Sequence, residues 1–421
     1  MTKPDAYPVT PPNERESYPA PSKPPPLAVY IHVPWCVRKC PYCDFNSHPQ
    51  RGALPERAFV AALAEDLAHD AALVSGRTVT SIFFGGGTPS LLSPDAIAAI
   101  LQHVHATLSI AANAEVTLEA NPGATEIAAL SAWRDAGVNR VSIGVQSLDP
   151  VGLAELGRIH DAPTAERTVA AALEVFPRVN ADLIYGWPGQ TPQGAEAEVM
   201  RLLALGVAHV SAYELTIEPN TPFAAAPPAG LPDETRLGAI EAAVHAVLAG
   251  AGFSRYEVSA FAKPDHRARH NLNYWTFGDY LGIGPGAHGK ISFPGSGILR
   301  TRKRAHPNDY LSAGQHRNRP DRVQGLDTSS VTNPYTAAAH WVQADALPFE
   351  FLMNALRLAE GVPRPLFTER TGLPFAAIAD TWERLAARGW VVDDAARLAC
   401  TPLGWRYLNT VLEAFLDPMV C

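Results

Sequence analysis

From residue 27 onward, short apolar runs alternate with longer segments of helical periodicity. Leu27–Val33 is an apolar run bounded by prolines and predicts a buried strand. Val79–Phe84, Glu115–Glu119, Arg140–Val145, Val179–Tyr185 and His209–Leu215 predict five more. Between them, Glu56–Val74, Pro94–Leu108, Thr125–Ala136, Pro163–Phe176 and Gln193–Leu205 have the period of helices. Ser93-Pro94 and Asp161-Ala162-Pro163-Thr164 add capping residues and first-turn prolines. Six β/α units in order imply parallel strands with right-handed crossovers.

Periodicity does not choose between an open doubly wound sheet and a barrel, but the unusual residues do. The cysteines follow the first strand and Gly85-Gly86-Gly87 the second; Glu119 ends the third, Gln146 follows the fourth and Tyr213-Glu214 ends the sixth. Barrel chemistry gathers at the C-terminal ends of strands. The expected fold is therefore α/β, a partial (β/α)6 TIM-like barrel over 27–290. Residues 1–26 hold nine prolines and few large apolar side chains, which predicts a disordered tail. A basic connector is expected over 291–348. From Arg300 to Arg322 it carries seven Lys or Arg against two Asp. Helices flanking two short strands, Trp390–Val392 and Arg397–Thr401, predict a small α+β, winged-helix-like domain over 349–421.

Composition narrows the function. The 421 residues are 47% hydrophobic and 18% charged, enough for a large core and roughly two to three domains. Lys plus Arg number 34 against 42 acidic residues, a formal charge of −8, which weighs against a nucleic-acid-coating role. That balance also disfavours a DNA-binding regulator acting through the C-terminal domain. No apolar leader or run of ~18 apolar residues is present, so a cytoplasmic protein is expected.

Three of the five cysteines fall together in His32-Val-Pro-Trp-Cys36-Val-Arg-Lys-Cys40-Pro-Tyr-Cys43-Asp-Phe45. Clustered soft thiolates suit an iron–sulfur centre or zinc. A closed zinc site needs a fourth ligand, which His32 or His48 would have to supply. Cys400 and Cys421 match no ligand pattern.

CxxxCxxC with Tyr42 before its last cysteine resembles the radical S-adenosylmethionine (SAM) superfamily. The resemblance implies a 4Fe-4S cluster on Cys36, Cys40 and Cys43, with SAM on the remaining iron. Phe83-Phe84-Gly85-Gly86-Gly87-Thr88-Pro89-Ser90 resembles the glycine stretch of that superfamily's coproporphyrinogen-oxidase-like branch. Gly86, Gly87 and Thr88 would then meet the amino end of SAM. Tyr30, Tyr42, Glu119, Gln146, Arg158 and Asp182 are implied as further SAM contacts. Oxygen-independent coproporphyrinogen III dehydrogenases of this branch carry CxxxCxxCxC, whereas here Phe45 takes the place of the last cysteine. That departure is similar to the branch's heme chaperones, as is His270-Asn271-Leu272-Asn273-Tyr274-Trp275, which fits their HNxxYW motif. The resemblance implies heme bound through His270, Asn271, Tyr274 and Trp275, and delivery to acceptor proteins such as respiratory enzymes. No catalytic residue is assigned. A homodimer and transient membrane-surface contact are further expectations. The basic stretch is either a solvated linker or a partner for heme propionates or acidic lipid.

Overall fold

The structure is a computed structural model that describes residues 20–314 and 333–416. The six predicted units are present in order. The strands are β1 (Leu27–Val33), β2 (Thr78–Gly86), β3 (Ser109–Ala120), β4 (Arg140–Gln146), β5 (Val179–Tyr185) and β6 (His209–Glu214). The major helices between and after them are α1 (Glu56–Asp70), α2 (Pro94–Thr107), α3 (Ala124–Asp135), α4 (Ala162–Val175), α5 (Pro192–Leu203) and α6 (Glu234–Gly250). Capping follows the predicted chemistry. The Ser93 side chain accepts from the Ala96 N–H and Asp161 from Thr164, each with proline in the first turn.

β1 to β6 run parallel and side by side in one twelve-stranded sheet whose ends do not meet. Strand alternation gives this sheet two distinct faces. Val29, Ile31, Ile82, Leu118, Val141 and Ala181 join the main hydrophobic core beneath the helices. Their neighbours on the concave face are polar or aromatic: Tyr30, Phe83, Glu115, Glu119, Arg140 and Asp182. This face lines a lumen. Tyr213 projects from β6 with 44% of its surface exposed, so the lumen is open at the strands' C-terminal rim.

The sheet extends past the predicted barrel. Asp279–Ile283 pairs parallel to the free edge of β1, and His288–Phe293, Gly297–Lys303 and Thr336–Trp341 continue antiparallel from it. The stretch expected as a connector over 291–348 therefore supplies strands to the sheet, and also the short helix Pro307–Ala313, where it is described. Two of its basic residues are paired rather than solvated. Lys303 is fully buried, with Nζ 2.5 Å from Asp66 and 2.6 Å from Asp70 of α1. Arg300 pairs with Glu350 and donates to the Tyr280 hydroxyl at 3.0 Å. Two carboxylates on one face of α1 are the reason: they neutralise a lysine that sequence composition alone counts as solvated. Arg302 is exposed and Arg304 half-buried, donating to the Pro334 carbonyl at 2.8 Å, while Arg317, Arg319 and Arg322 lie outside the described residues.

Most of the segment expected as a tail, residues 1–19, also lies outside them, but its last part is packed. Pro21 and Pro25 are buried, and the Pro25 carbonyl accepts from Arg77 at 2.6 Å. The C-terminal unit has its own core, centred on Phe351, Phe367, Trp382 and Leu398. Its strands are shorter than predicted. Arg397–Leu398 pairs with Val362–Pro363, while residues 390–401 meet through a Val391–Cys400 bridge.

Candidate functional site

The cysteine loop rises from the end of β1. Trp35–Cys36 pairs with His48–Pro49 in a two-residue parallel ribbon, which closes residues 37–47 into a loop over the rim. Cys36 is buried and Cys40 and Cys43 are half-buried, all as free thiols. Burial pushes the Cys36 and Cys43 thiols up, against hydrogen bonding from Thr88 and Ser47 at Cys36 and from Ser47 at Cys43. Among the described residues, no three His, Cys, Asp or Glu side chains stand close enough to grip a single ion. A cubane asks for something different, one thiolate per iron. Three neighbouring thiols on one loop, with hydroxyl donors beside them, fit that group.

They fit zinc less well. His32 is engaged at both ring nitrogens, Nδ1 at 2.9 Å from the Tyr30 hydroxyl and Nε2 at 2.8 Å from the Asn46 carbonyl. His48 lies 3.3 Å from Asn46 Oδ1 and edge-on to His306. Both nitrogens of His32 are thereby occupied, and His48 is turned toward Asn46 and His306.

The glycine stretch lies directly below the loop. Gly86 has φ +113°, and a Cβ there would meet the His32 ring at 2.6 Å. A Cβ on Gly87 would lie 2.5 Å from the Trp35 carbonyl oxygen. Gly87 N–H donates to Val33 and Thr88 N–H to Trp35, both at 2.7 Å, so backbone packs on backbone where a side chain has no room.

The remaining predicted rim residues converge. Arg158 Nη1 lies 3.3 Å from Cys40 Sγ, and Nη2 donates to Asn121 Oδ1 at 2.5 Å and to the Gly144 carbonyl at 3.0 Å. Asn121 Nδ2 then donates to Thr88 Oγ1 at 3.0 Å. Three rim loops are thereby tied to the cysteine loop. Glu119 accepts from the Gly86 N–H at 3.2 Å. Burial in the lumen, with Asp182 adding like charge, pushes the Glu119 carboxyl up to about 8. Asp182 is raised too, mainly by burial, against donors from Asn180, Ser211 and Ser142. Gln146 is half-buried at φ +64°, a left-handed conformation for a residue that is not glycine. Tyr42 packs beside Phe223, with ring centres 6.5 Å apart. Phe45 points outward, 60% exposed.

The HNxxYW segment forms its own short helix, Arg269–Trp275, packed against β1 and β2. Glu115 of β3 receives its first turn. Oε1 accepts from the Arg269 N–H at 2.8 Å and the His270 N–H at 3.3 Å, and lies 3.3 Å from His270 Nδ1. The His270 ring lies against Phe83, centroid to centroid 4.0 Å. Burial alone would raise the Glu115 carboxyl. The His270 hydrogen bond and the charges of Arg140 and Arg178 outweigh it and bring the group down to about 2. Glu115 and Glu119 are both lumen residues of β3, about 13 Å apart at ~3.3 Å per residue. The helix divides its motif. His270 and Tyr274 face the sheet, Tyr274 with its ring 4.4 Å from Tyr280. Asn271 donates to the Tyr256 hydroxyl at 3.3 Å, and Trp275 packs on the C-terminal core with Arg357 over its ring at 5.4 Å.

Comparison with known proteins bears on this arrangement. Residues 30–202 match the radical SAM superfamily, and residues 342–407 match the HemN C-terminal domain. The heme chaperone HemW of Escherichia coli (strain K12) is 44% identical over 393 residues, covering 93% of this chain and 98% of that protein. The chain belongs to the HemW family. A HemW of Mycobacterium tuberculosis (strain ATCC 25618 / H37Rv) is 36% identical over 93% of this chain and 95% of its own length. A solved structure of E. coli coproporphyrinogen III oxidase (HemN), described as a radical SAM enzyme, aligns with a TM-score of 0.76. It covers 94% of this chain and 91% of that one at 22% identity, a likeness of fold alone.

Several residues at the site went unmarked in the sequence. Asn121 carried no mark of its own in the sequence, yet it links Thr88 to Arg158. Phe83 and Glu115 read as strand residues. The available signal was alternation: both share the face of Glu119 and Tyr30, and a buried carboxylate on that face needs a partner. The partner comes from 155 residues away in sequence.

Proposed function

We propose that this chain binds heme and transfers it to acceptor proteins of the respiratory chain, working from the cytoplasm. Its 4Fe-4S cluster would sit on Cys36, Cys40 and Cys43, and SAM against Tyr30, Tyr42, Gly86, Gly87, Thr88, Glu119, Gln146, Arg158 and Asp182. Family membership across nearly the whole chain supports the heme-carrier reading. The observation that carries it to a residue is His270. Its Nδ1 is engaged by Glu115, and Nε2 makes no hydrogen bond among the described residues. That is the state of an imidazole ready to ligate iron. Tyr274 lies on the same face of the helix, whereas Asn271 and Trp275 support the site from the side of the C-terminal unit.

The cluster, when bound, supplies one iron to which SAM's amino and carboxylate groups can attach. This chain's residues orient that cofactor: Arg158 balances charge at Cys40, and Glu119 and Asp182 offer carboxyls to hydroxyl groups. Association with a second copy and transient membrane contact belong to the same reading. None of the described helices is long and apolar enough to cross a membrane.

The test is reconstitution of the cluster under anaerobic conditions, followed by heme titration of wild type and His270→Ala. Loss of stable heme binding with an intact iron–sulfur spectrum is expected. Full heme affinity in the variant would remove the assignment. Conversion of coproporphyrinogen in a parallel assay would point instead to the dehydrogenase chemistry of the branch.

A further inference from the structure

The HNxxYW motif names His270 but not what decides which of its nitrogens meets iron. Glu115 lies outside the motif, on β3, with 3% of its surface exposed. An ionised carboxylate only accepts hydrogen bonds. Oε1, 3.3 Å from Nδ1, therefore requires the imidazole proton at Nδ1 and leaves the lone pair of a neutral ring on Nε2. The same oxygen accepts the backbone N–H groups of Arg269 and His270, which fixes the carboxylate relative to the start of the helix. Phe83 lies against the other side of the ring. The imidazole is held in both tautomer and plane.

We propose that Glu115 is the positioning residue for heme ligation, holding the His270 proton on Nδ1 so that Nε2 is the coordinating nitrogen. The inference rests on the reading of His270 as the heme ligand. A carboxylate behind a ligating histidine raises the ligand's basicity and favours the higher charge on the metal. A cap that merely anchored the helix would do neither.

Glu115→Gln separates the two roles, because the amide oxygen can still accept from the helix N–H groups while the charge is gone. Ferric heme affinity is expected to fall about 10-fold or more. The bound heme's reduction potential should become more positive, with the iron–sulfur absorption unchanged. Glu115→Asp keeps the charge and is expected to hold the potential nearer to wild type, which provides a second measurement should the amide variant fold poorly. Wild-type affinity and potential in Glu115→Gln, alongside loss of heme in His270→Ala, would overturn the role of Glu115 and leave the ligand in place. Wild-type heme binding in His270→Ala would overturn both.

Discussion

The guanidinium of Arg158 spans two partners that are distant in sequence, with one nitrogen 3.3 Å from Cys40 Sγ and the other 2.5 Å from Asn121 Oδ1. It fixes the cysteine loop to the β3 rim, and with a cluster on Cys40 it would also balance thiolate charge. Groups of this kind behind a metal ligand are worth about 10- to 100-fold in metal affinity. Arg158→Gln is expected to lose cluster iron to a chelator at least ~10-fold more readily, followed by the decay of its visible absorption. Arg158→Lys should not restore retention, since a single ammonium cannot reach both partners as a planar fork does. An unchanged decay in both variants would place the charge balance elsewhere.

Glu119 sets a pH dependence. Its carboxyl is raised from 4.5 to about 8, first by burial and then by Asp182. Between those values the folded protein holds a proton that the unfolded chain has released. The contribution to stability is therefore fully present below 4.5 and is lost as pH rises through about 8. A bound sulfonium favours the ionised form, so SAM binding near neutral pH is expected to expel a proton. Calorimetry in buffers of different ionisation enthalpy reads this directly. The buffer dependence should vanish in Glu119→Gln, and its absence from wild type would count against the raised carboxyl.

Gly87 and Gly238 make a paired test of packing. A methyl on Gly87 would meet the Trp35 carbonyl oxygen at 2.5 Å, whereas one on Gly238, inside α6, meets nothing within 4 Å. Gly87→Ala is expected to cost about 1–3 kcal/mol. Gly238→Ala should gain about 0.5–1 kcal/mol from reduced chain entropy. Denaturant unfolding of both variants is the measurement, and equal effects would refute the close approach at Gly87.

Lys303 is the charge on which the sheet extension depends. Its ammonium is enclosed with Asp66 and Asp70, and Tyr310 donates to the same Asp66 at 2.6 Å. Removing the lysine alone takes away the ammonium that the two buried carboxylates share. Lys303→Met should destabilise by about 3–5 kcal/mol. Replacing Asp66 and Asp70 by Asn in the same chain should return part of that loss. A near-neutral single variant in thermal unfolding would mean that water reaches the network.

The order of strands, the parallel sense of β1–β6 and the cysteine and glycine motifs were all legible in the sequence. Each depends on short-range rules: periodicity of burial, capping at helix starts, and ligand spacing within one loop. The fate of the basic stretch was not legible, because Lys303 finds its carboxylates more than two hundred residues away. Composition counts a charge but does not say what it will be buried against.

The chain by itself determined a parallel β/α core, three thiols on one loop, and a histidine in a recognisable motif. Only the tertiary structure decided that Glu115 stands behind that histidine, that Arg158 reaches Cys40, and that the sheet runs past β1 through Asp279–Ile283 to Thr336–Trp341. The physical reason is the same in each case. A strand's alternation assigns a residue to a face, but the partner across a lumen comes from another element, and only closure of the fold brings the two within hydrogen-bond range.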